Sequence, residues 1–209
     1  MNPESLSIPK GATISTKTIL QPEHLKILFS STTTELYGKS CFDSYVYAYR
    51  FHVLTGLRPG ELIGLYWTDI VKNEIHIKRS VNRLGRTTHG KNDNAIRSFV
   101  LNKTAMEVLA DQKGISATYP DGPVFEIVTQ ENYRRRWDKY CKVNGIPHTT
   151  PYELRHTFVS IAKDLSEGRV KSLVGHSKNM DTFGVYGHTV RGEMEETAEL
   201  LDEIFHKVI

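Results

Sequence analysis

The sequence predicts an α+β domain that is mainly helical and carries one small antiparallel sheet. Its 209 residues are enough for one domain with a substantial core. Apolar residues recur at helical spacing over most of the chain, which favours helices. Residues 74–78 instead alternate apolar and charged side chains, as a half-exposed strand does, and residues 96–101 form a second strand-like run. The intervening residues 83–94 contain two Gly and two Asn, which indicates a loop between antiparallel strands.

The domain is expected to span residues 17–209. Residues 1–16 combine Pro, Gly and several Ser and Thr without periodicity, and they predict a linker or flexible tail. Pro22 marks the first predicted helix, and residues 41–55 form a second helical run that Gly56 ends.

A third helix begins at Pro59 and Glu61, so that Arg58 lies in the turn immediately before it. Further start signals are Asn102, Thr129 and the capping-box sequence from Thr150 to Glu153. The helix that Thr150 starts is predicted to run to about Ser166. A final amphipathic helix is predicted at about 192–207. Its apolar stripe consists of Met194, Leu201, Ile204 and Phe205.

Composition excludes several classes of protein. A hydrophobic fraction of 39% and a charged fraction of 24% are ordinary for a globular domain. The sequence has no apolar run near the length of a membrane span and no charged-then-apolar leader. Cys41 and Cys141 fit free thiols in a reducing cytoplasm, and neither has the spacing of a metal site.

The net charge of +3 hides an asymmetry along the chain. Residues 1–176 carry 24 Lys or Arg against 17 Asp or Glu, whereas residues 177–209 carry 3 against 7. A basic body suits a nucleic-acid partner, and an acidic tail suits something other than phosphate.

Four short motifs carry the chemistry, and they contain two arginines, a histidine and a tyrosine in a fixed order. They are TGLRPGELIGL (55–65), TPYELRHTF (150–158), LVGHS (173–177) and MDTFGVYGH (180–188). Arginines can neutralise the non-bridging oxygens of a phosphodiester, and a tyrosine hydroxyl can attack its phosphorus. These are the parts needed for strand cleavage without a metal.

Over almost the whole chain, the pattern resembles the tyrosine recombinase, or phage integrase, family. The resemblance implies the catalytic-domain fold of that family, with Arg58 and Arg155 holding the scissile phosphate. Glu61 would orient the first arginine, and His176 would donate a hydrogen bond to the phosphate. Tyr186 would be the nucleophile that forms a 3′-phosphotyrosyl link, which conserves bond energy for religation.

The resemblance also implies a hairpin that carries a general acid. Lys91 precedes Arg97 by six residues, and this spacing is similar to that of the family's hairpin, although Val100 replaces its usual proline. Lys91 would protonate the leaving 5′-oxygen. Arg97 is expected to contact DNA.

One position departs from the family pattern. Tyr152 stands three residues before Arg155, where the family usually has histidine. A phenol can donate a hydrogen bond to a phosphate oxygen, but with a pKa near 10 it is a poor proton acceptor at neutral pH. We expect catalysis to be retained, because the other five positions are present. His156 is directed about 100° away from Arg155 on a helix, and we expect it to pack in the fold or to support its neighbours.

A basic cluster lies outside the motifs. Arg134, Arg135 and Arg136 are close to Trp137 and Tyr140 on one predicted helix, and they could track a DNA backbone. A solvated basic face explains the same cluster equally well.

The resemblance further implies double-stranded DNA attachment sites as substrate and a tetramer assembled on DNA, with the C-terminal helix docking on a neighbouring protomer. Accessory DNA-bending or directionality factors are possible partners, and neither a cofactor nor a metal is expected. The protein would act in the cytoplasm of a bacterium, at the nucleoid, and would be encoded by that bacterium or by a phage. An N-terminal core-binding domain, common in the family, is expected to be missing from this fragment. Two alternatives stay open: a type IB topoisomerase-like enzyme, and a DNA-binding or regulatory domain with the same fold but impaired catalysis.

Overall fold

The computed structural model describes residues 18–88, 96–116, 119–175 and 192–209. Within these ranges the chain forms eight α-helices, which are α1 (Pro22–Ser30), α2 (Val46–Thr55), α3 (Pro59–Ile63), α4 (Lys103–Ile115), α5 (Gln130–Asn144), α6 (Pro151–Ile161), α7 (Glu167–Val174) and α8 (Glu193–His206). Two 3₁₀ turns occupy Trp67–Asp69 and Ala162–Asp164. The strands are β1 (Thr33–Leu36), β2 (Lys39–Phe42), β3 (Ile70–Val71), β4 (Glu74–Ile77), β5 (Ser80–Val81), β6 (Thr87–Thr88) and β7 (Arg97–Val100). The predicted class, mainly helical α+β, is confirmed.

The main sheet has the strand order β3-β4-β7, and both pairings are antiparallel. Ile75 pairs with Phe99 and Ile77 with Arg97, so these four side chains share one face of the sheet. Ile75, Ile77 and Phe99 are buried, which makes that face the one that covers the core. The predicted pairing of residues 74–78 with residues 96–101 is therefore correct.

Two further hairpins, β1–β2 and β5–β6, were not predicted. The prediction of a helix over residues 41–55 is wrong at its beginning, because Lys39–Phe42 pairs with Thr33–Leu36. The backbone N–H of Tyr45 donates to Asp43 Oδ1 at 2.9 Å, and this turn delays the helix to Val46. Both hairpins are short and largely exposed, so they lack the alternating apolar pattern by which strands are recognised.

Helix α2 lies at the centre of the fold and packs against α4 and α6. Nine of its ten residues are buried, which is why its sequence is apolar on nearly every side. No helix in the described ranges combines the length and apolarity needed to cross a bilayer.

Helix α6 is shorter than predicted. It ends at Ile161 and passes into the 3₁₀ turn Ala162–Asp164, whose end is marked by the bond from Leu165 N–H to the carbonyl of Ala162 at 3.0 Å. Ser166 is then the N-cap of α7 and not the end of α6. This arrangement turns α7 back so that its C-terminus approaches the beginning of α3.

The C-terminal helix α8 packs on its own chain. Leu201 and Phe205 are buried, and the Phe205 ring stacks on Phe158 of α6 with 6.2 Å between centroids. Asp202 Oδ1 accepts hydrogen bonds from the backbone N–H and the hydroxyl of Thr104, at 2.9 and 2.8 Å. Because Thr104 lies in the first turn of α4, this carboxylate also faces the positive end of that helix.

Candidate active site

The turn between α2 and α3 is the first part of the site. Gly56 ends α2 in the left-handed conformation, with φ of 61°, and a Cβ there would lie 2.3 Å from the Phe158 ring. Arg58 follows as the N-cap of α3, with Pro59 at the first helical position, as predicted. Gly60 lets strand β5 approach α3, since its Cβ would lie 2.4 Å from the carbonyl of Val81. The motif residues between 55 and 65 therefore shape a tight corner that presents Arg58.

Glu61 is buried beneath this corner with 3% of its surface exposed. Its Oε2 accepts from the backbone N–H of Arg58 at 2.8 Å, and its Oε1 accepts from the Arg58 guanidinium at 2.8 Å. Burial raises the pKa of the Glu61 carboxyl, but hydrogen bonds and charge from Arg97, together with hydrogen bonds from Arg58, outweigh burial and hold the pKa below its ordinary value. Glu61 thus binds both the backbone and the guanidinium of Arg58, and its expected role in the chemistry stays a prediction.

Arg155 extends from α6 toward the same corner and is 2% exposed. Its guanidinium donates to the carbonyl of Gly56 at 2.8 Å and to the carbonyl of Val174 at 2.7 Å. Burial, and then the charge of Arg58, lower the pKa of Arg155 to about 10. The site therefore disfavours this positive charge, and an anion bound beside it would relieve the cost.

Helix C-termini hold the arginines. Arg155 and Arg58 bond the carbonyls of Val174 and Gly175 at the end of α7, and Arg155 also bonds Gly56 at the end of α2. Such carbonyls have no partner within their own helix and carry a partial negative charge, so cations fit them well. Arg58 and Arg97 bond the Glu61 carboxylate, and the charge of Glu61 also acts on Arg155. Three guanidinium groups thus share one carboxylate, which leaves a positive surplus suited to a phosphate.

Arg97 belongs to this cluster, and its expected contact with DNA stays a prediction. Its side chain is only 8% exposed, and it donates to both oxygens of Glu61 at 3.1 and 3.0 Å and to the carbonyl of Leu173 at 2.7 Å. The sequence held a usable signal. Arg97 is two residues before the core residue Phe99 on the same strand, which places it on the inward face.

Tyr152 and His156 lie on α6 one turn apart, and their rings meet edge to face with centroids 5.2 Å apart. Tyr152 is 43% exposed in the first turn of α6, while Arg155 is directed inward from the same helix. His156 therefore packs beside Tyr152. A role for either residue in chemistry stays a prediction.

Helix α5 directs its aromatic residues away from the surface that carries its basic cluster. Trp137 and Tyr140 are fully buried, because the helical period places them toward the core. Arg134 is paired with Glu131 and Asp138, and Arg136 with the buried Asp43, while Arg135 is exposed. A role in DNA binding for Arg134, Arg135 and Arg136 stays untested, and Arg136 in particular has a structural partner.

A buried pair beneath the corner was missed by the sequence analysis. His52 is fully buried on α2, with Nε2 2.8 Å from the carbonyl of Leu57 and Nδ1 3.0 Å from the hydroxyl of Tyr133. A carbonyl only accepts, so Nε2 carries the proton and Nδ1 accepts from the phenol. Burial lowers the pKa of His52 to about 4, so its ring is neutral when it supports the residue before Arg58. An apolar-looking helix gave no sign of this role.

Three predicted catalytic residues, Lys91, His176 and Tyr186, lie outside the described residues, as does the predicted linker at 1–16. In the described ranges, no three side chains among His, Cys, Asp and Glu are grouped so that they could hold a metal ion.

Comparison with curated proteins identifies integrases among the relatives of this chain. The ICEBs1 integrase of Bacillus subtilis (strain 168) is 28% identical over 177 residues, covering 75% of this chain and 48% of that protein. An integrase of Streptomyces ambofaciens is 31% identical over 185 residues, covering 74% of this chain and 47% of that protein. The chain thus spans about half the length of these relatives.

Solved structures show the same fold. The Tn1549 transposon integrase, solved in complex with transposon right end DNA, matches with a TM-score of 0.65 at 19% identity, over 88% of this chain and 66% of that one. The XerA recombinase matches with a TM-score of 0.58 at 22% identity, over 90% of this chain and 65% of that one. The phage integrase family model matches residues 21–192, a range that contains both arginines and the positions of Lys91, His176 and Tyr186. The chain belongs to the phage integrase family.

Proposed function

We propose that this chain is the catalytic part of a site-specific DNA recombinase that cuts and rejoins DNA strands through a 3′-phosphotyrosyl intermediate. The observation that carries the proposal is the convergence of Arg58 and Arg155, 97 positions apart in the sequence, around the buried Glu61. Donors fixed before the reaction stabilise the charge that develops on a phosphorane without having to reorganise.

In the proposed reaction, the hydroxyl of Tyr186 gives its proton to solvent, and its oxygen attacks the scissile phosphorus. The new bond joins the tyrosine oxygen to phosphorus, and the bond from phosphorus to the 5′-oxygen breaks. Arg58, Arg155 and His176 would stabilise the non-bridging oxygens, and Lys91 would give a proton to the leaving 5′-oxygen. Attack by a 5′-hydroxyl on the phosphotyrosine then reverses these steps and joins the strand.

Tyr152 is proposed to donate a hydrogen bond to the phosphate from the first turn of α6, the same helix that holds Arg155. A phenol in general donates such a bond readily but is a poor acceptor for the nucleophile's proton at neutral pH. The alternative of an impaired DNA-binding domain depends on this residue, and the experiment below separates it from an active enzyme.

The proposed substrate is double-stranded DNA that carries attachment sites. Support comes from the surplus of positive charge at the site and from the solved relatives, since the Tn1549 transposon integrase and the lambda integrase have both been solved with bound DNA. Assembly as a tetramer on DNA, accessory DNA-bending or directionality factors and action on DNA in the bacterial cytoplasm are further parts of this proposal.

A nicked suicide substrate tests the chemistry directly. Cleavage near the nick releases a short fragment, so the covalent protein–DNA adduct accumulates and is counted on a denaturing gel. The parent chain should form this adduct equally well with Mg²⁺ and with EDTA, and Tyr186→Phe should form none while binding DNA as the parent does. No adduct from a folded parent that binds DNA would favour the impaired alternative, and strict dependence on a divalent ion would exclude the mechanism.

A further inference from the structure

We propose that Arg97 is a positioning residue of the active site: it holds Glu61, and through Glu61 it fixes the guanidinium of Arg58 for the phosphate. The proposal deepens the function proposed above and rests on it. Arg97 is not one of the two arginines that the resemblance assigns to the phosphate. Its contacts in the structure assign it the positioning role.

The carboxylate of Glu61 is fully used by two arginines. Oε1 accepts from the guanidinium of Arg58 at 2.8 Å and from that of Arg97 at 3.1 Å. Oε2 accepts from the backbone N–H of Arg58 at 2.8 Å and from Arg97 at 3.0 Å. Each oxygen thus receives two hydrogen bonds, which satisfies a buried carboxylate. Arg97 supplies half of these bonds, and the planar carboxylate cannot rotate about its own bond while Arg97 grips both oxygens.

Arg97 also connects the carboxylate to α7. Its Nε donates to the carbonyl of Leu173 at 2.7 Å, two residues before Gly175, whose carbonyl accepts from Arg58 at 3.0 Å. One guanidinium therefore joins the strand β7, the buried Glu61 and the helix end that precedes His176 in the sequence. Displacing Arg97 would therefore loosen both groups that hold the Arg58 guanidinium, namely the Glu61 carboxylate and the helix end that carries the carbonyl of Gly175.

Exposure separates the two arginines that share Glu61. The side chain of Arg58 is 34% exposed, and that of Arg97 is 8% exposed. Arg58 can therefore meet a phosphate from solvent, whereas Arg97 lies behind it on the inward face of its strand. Arg97 also uses Nε and both terminal nitrogens on Leu173 and Glu61. This bonding, together with its place behind Arg58, assigns phosphate contact to Arg58 and support to Arg97.

Removal of Arg97 should make the site sensitive to acid. The charged and titratable groups that act on Glu61 are Arg58, Arg97, Arg155 and His52, and the first two lower its pKa through hydrogen bonds. Without Arg97, the pKa of the buried carboxyl rises, because burial is then opposed by fewer donors. A protonated Glu61 no longer binds Arg58 as an anion, so the rate should fall as pH is lowered.

The test measures single-turnover adduct formation on the suicide substrate at saturating DNA. Arg97→Met should lower the rate about 100-fold, the order expected when a reacting group is misplaced by about 1 Å. DNA affinity should stay within about threefold of the parent, since the donors of Arg97 are used on Glu61 and Leu173 and none is proposed to meet a phosphate. Arg97→Lys should restore part of the rate, because an ammonium keeps the charge but cannot reproduce the paired geometry.

Arg79→Met is the matched control. Arg79 also grips both oxygens of a buried carboxylate, Asp69, and donates to a backbone carbonyl, that of Gly64. Its loss should destabilise the fold comparably and leave the rate and the pH profile of adduct formation unchanged. In a Glu61→Gln background, Arg97→Met should cost much less than in the parent, and the acid sensitivity should disappear.

Two outcomes would overturn the proposal: a parent-like rate of Arg97→Met at saturating DNA, whether or not DNA affinity is lost, or equal slowing in Arg79→Met. A parent that forms no adduct would defeat the proposed function instead. In that event, two measurements still decide whether Arg97 positions Arg58: ¹³C NMR titration of the Glu61 carboxyl and the exchange rate of the Arg58 guanidinium protons. A raised Glu61 pKa with faster Arg58 exchange in Arg97→Met supports positioning, and unchanged values refute it.

Discussion

Arg155 donates a hydrogen bond at 2.8 Å to the carbonyl of Gly56, which lies 99 residues earlier in the chain. Gly56 is also in the left-handed conformation and is packed so closely on Phe158 that a Cβ would lie 2.3 Å from the ring. The same glycine therefore ends α2, permits α6 to approach and supplies an acceptor for the buried guanidinium. One small residue couples the two arginine motifs.

Gly56→Ala should be strongly destabilising. A left-handed alanine costs roughly 1–2 kcal/mol, and overpacking against Phe158 adds roughly 1–3 kcal/mol. Gly145→Ala is the control, since Gly145 has φ of 70° and has nothing within 4 Å of the added Cβ. Urea unfolding of the two variants should show the larger loss for Gly56→Ala. Equal losses would mean that contact with Phe158 contributes nothing.

Much of the helical framework was readable from the sequence because its boundaries are set by local chemistry. Asn102 accepts from the backbone N–H of Ala105, and Glu153 accepts from that of Thr150, each at the start of the helix that was predicted there. The strand pair was equally visible in the alternation around Ile75. The short hairpins were missed because their pairing depends on turns with no apolar pattern.

Some residues of the candidate site could also be found from the sequence, whereas others could not. Arg58, Arg155 and Glu61 were found as motif residues, and the structure brings them together. The roles of Arg97 and His52 could not be read from motifs, because they depend on which buried group each side chain meets across the fold. Sequence spacing gives the face of an element, but only tertiary contact gives the partner.

His52 should make stability depend on pH. Burial lowers its folded-state pKa to about 4, below the ordinary value of 6.5, so the unfolded chain binds the proton more readily. This contribution is fully present above pH 6.5 and is lost as pH falls toward 4. The loss amounts to about 3 kcal/mol, from the cost per pKa unit.

Comparison with His52→Gln checks this assignment. The glutamine amide can still donate to the carbonyl of Leu57 but does not titrate, so the change in unfolding free energy between pH 6.5 and 4 should shrink. An equally steep change in the variant would show that other groups cause it.

Substitutions of Tyr152 test which side-chain chemistry cleavage requires at this position. Its half-exposed phenol lies above His156, and we expect Tyr152→His to keep or increase the cleavage rate, because imidazole can also accept a proton near pH 7. Tyr152→Phe should slow cleavage without abolishing it. Adduct formation by each folded variant on the nicked substrate measures both effects. A folded but inactive Tyr152→His variant would show that the phenol has a more specific role.

The last prediction concerns α8. If α8 docks on a neighbouring protomer, as the family resemblance implies, deletion from residue 192 onward should spare cleavage but impair assembly and strand exchange. In the structure, Leu201 and Phe205 are buried in this chain's own core, so the deletion should also lower stability. A point substitution separates these effects better than a deletion does. Phe205→Ala should cost about 3–5 kcal/mol, because a fully buried ring that stacks on Phe158 is removed.

Ile204→Ala is the matched control, since Ile204 is only partly buried on the same helix and its truncation should cost less. Urea unfolding at several protein concentrations then locates the docking surface. If α8 packs on its own chain, the midpoint should not change with concentration. If copies exchange the helix, the midpoint should rise with concentration, because association stabilises the folded state by mass action. A concentration-dependent midpoint that Phe205→Ala abolishes would place the ring in a neighbouring protomer and would favour the predicted coupling through this helix.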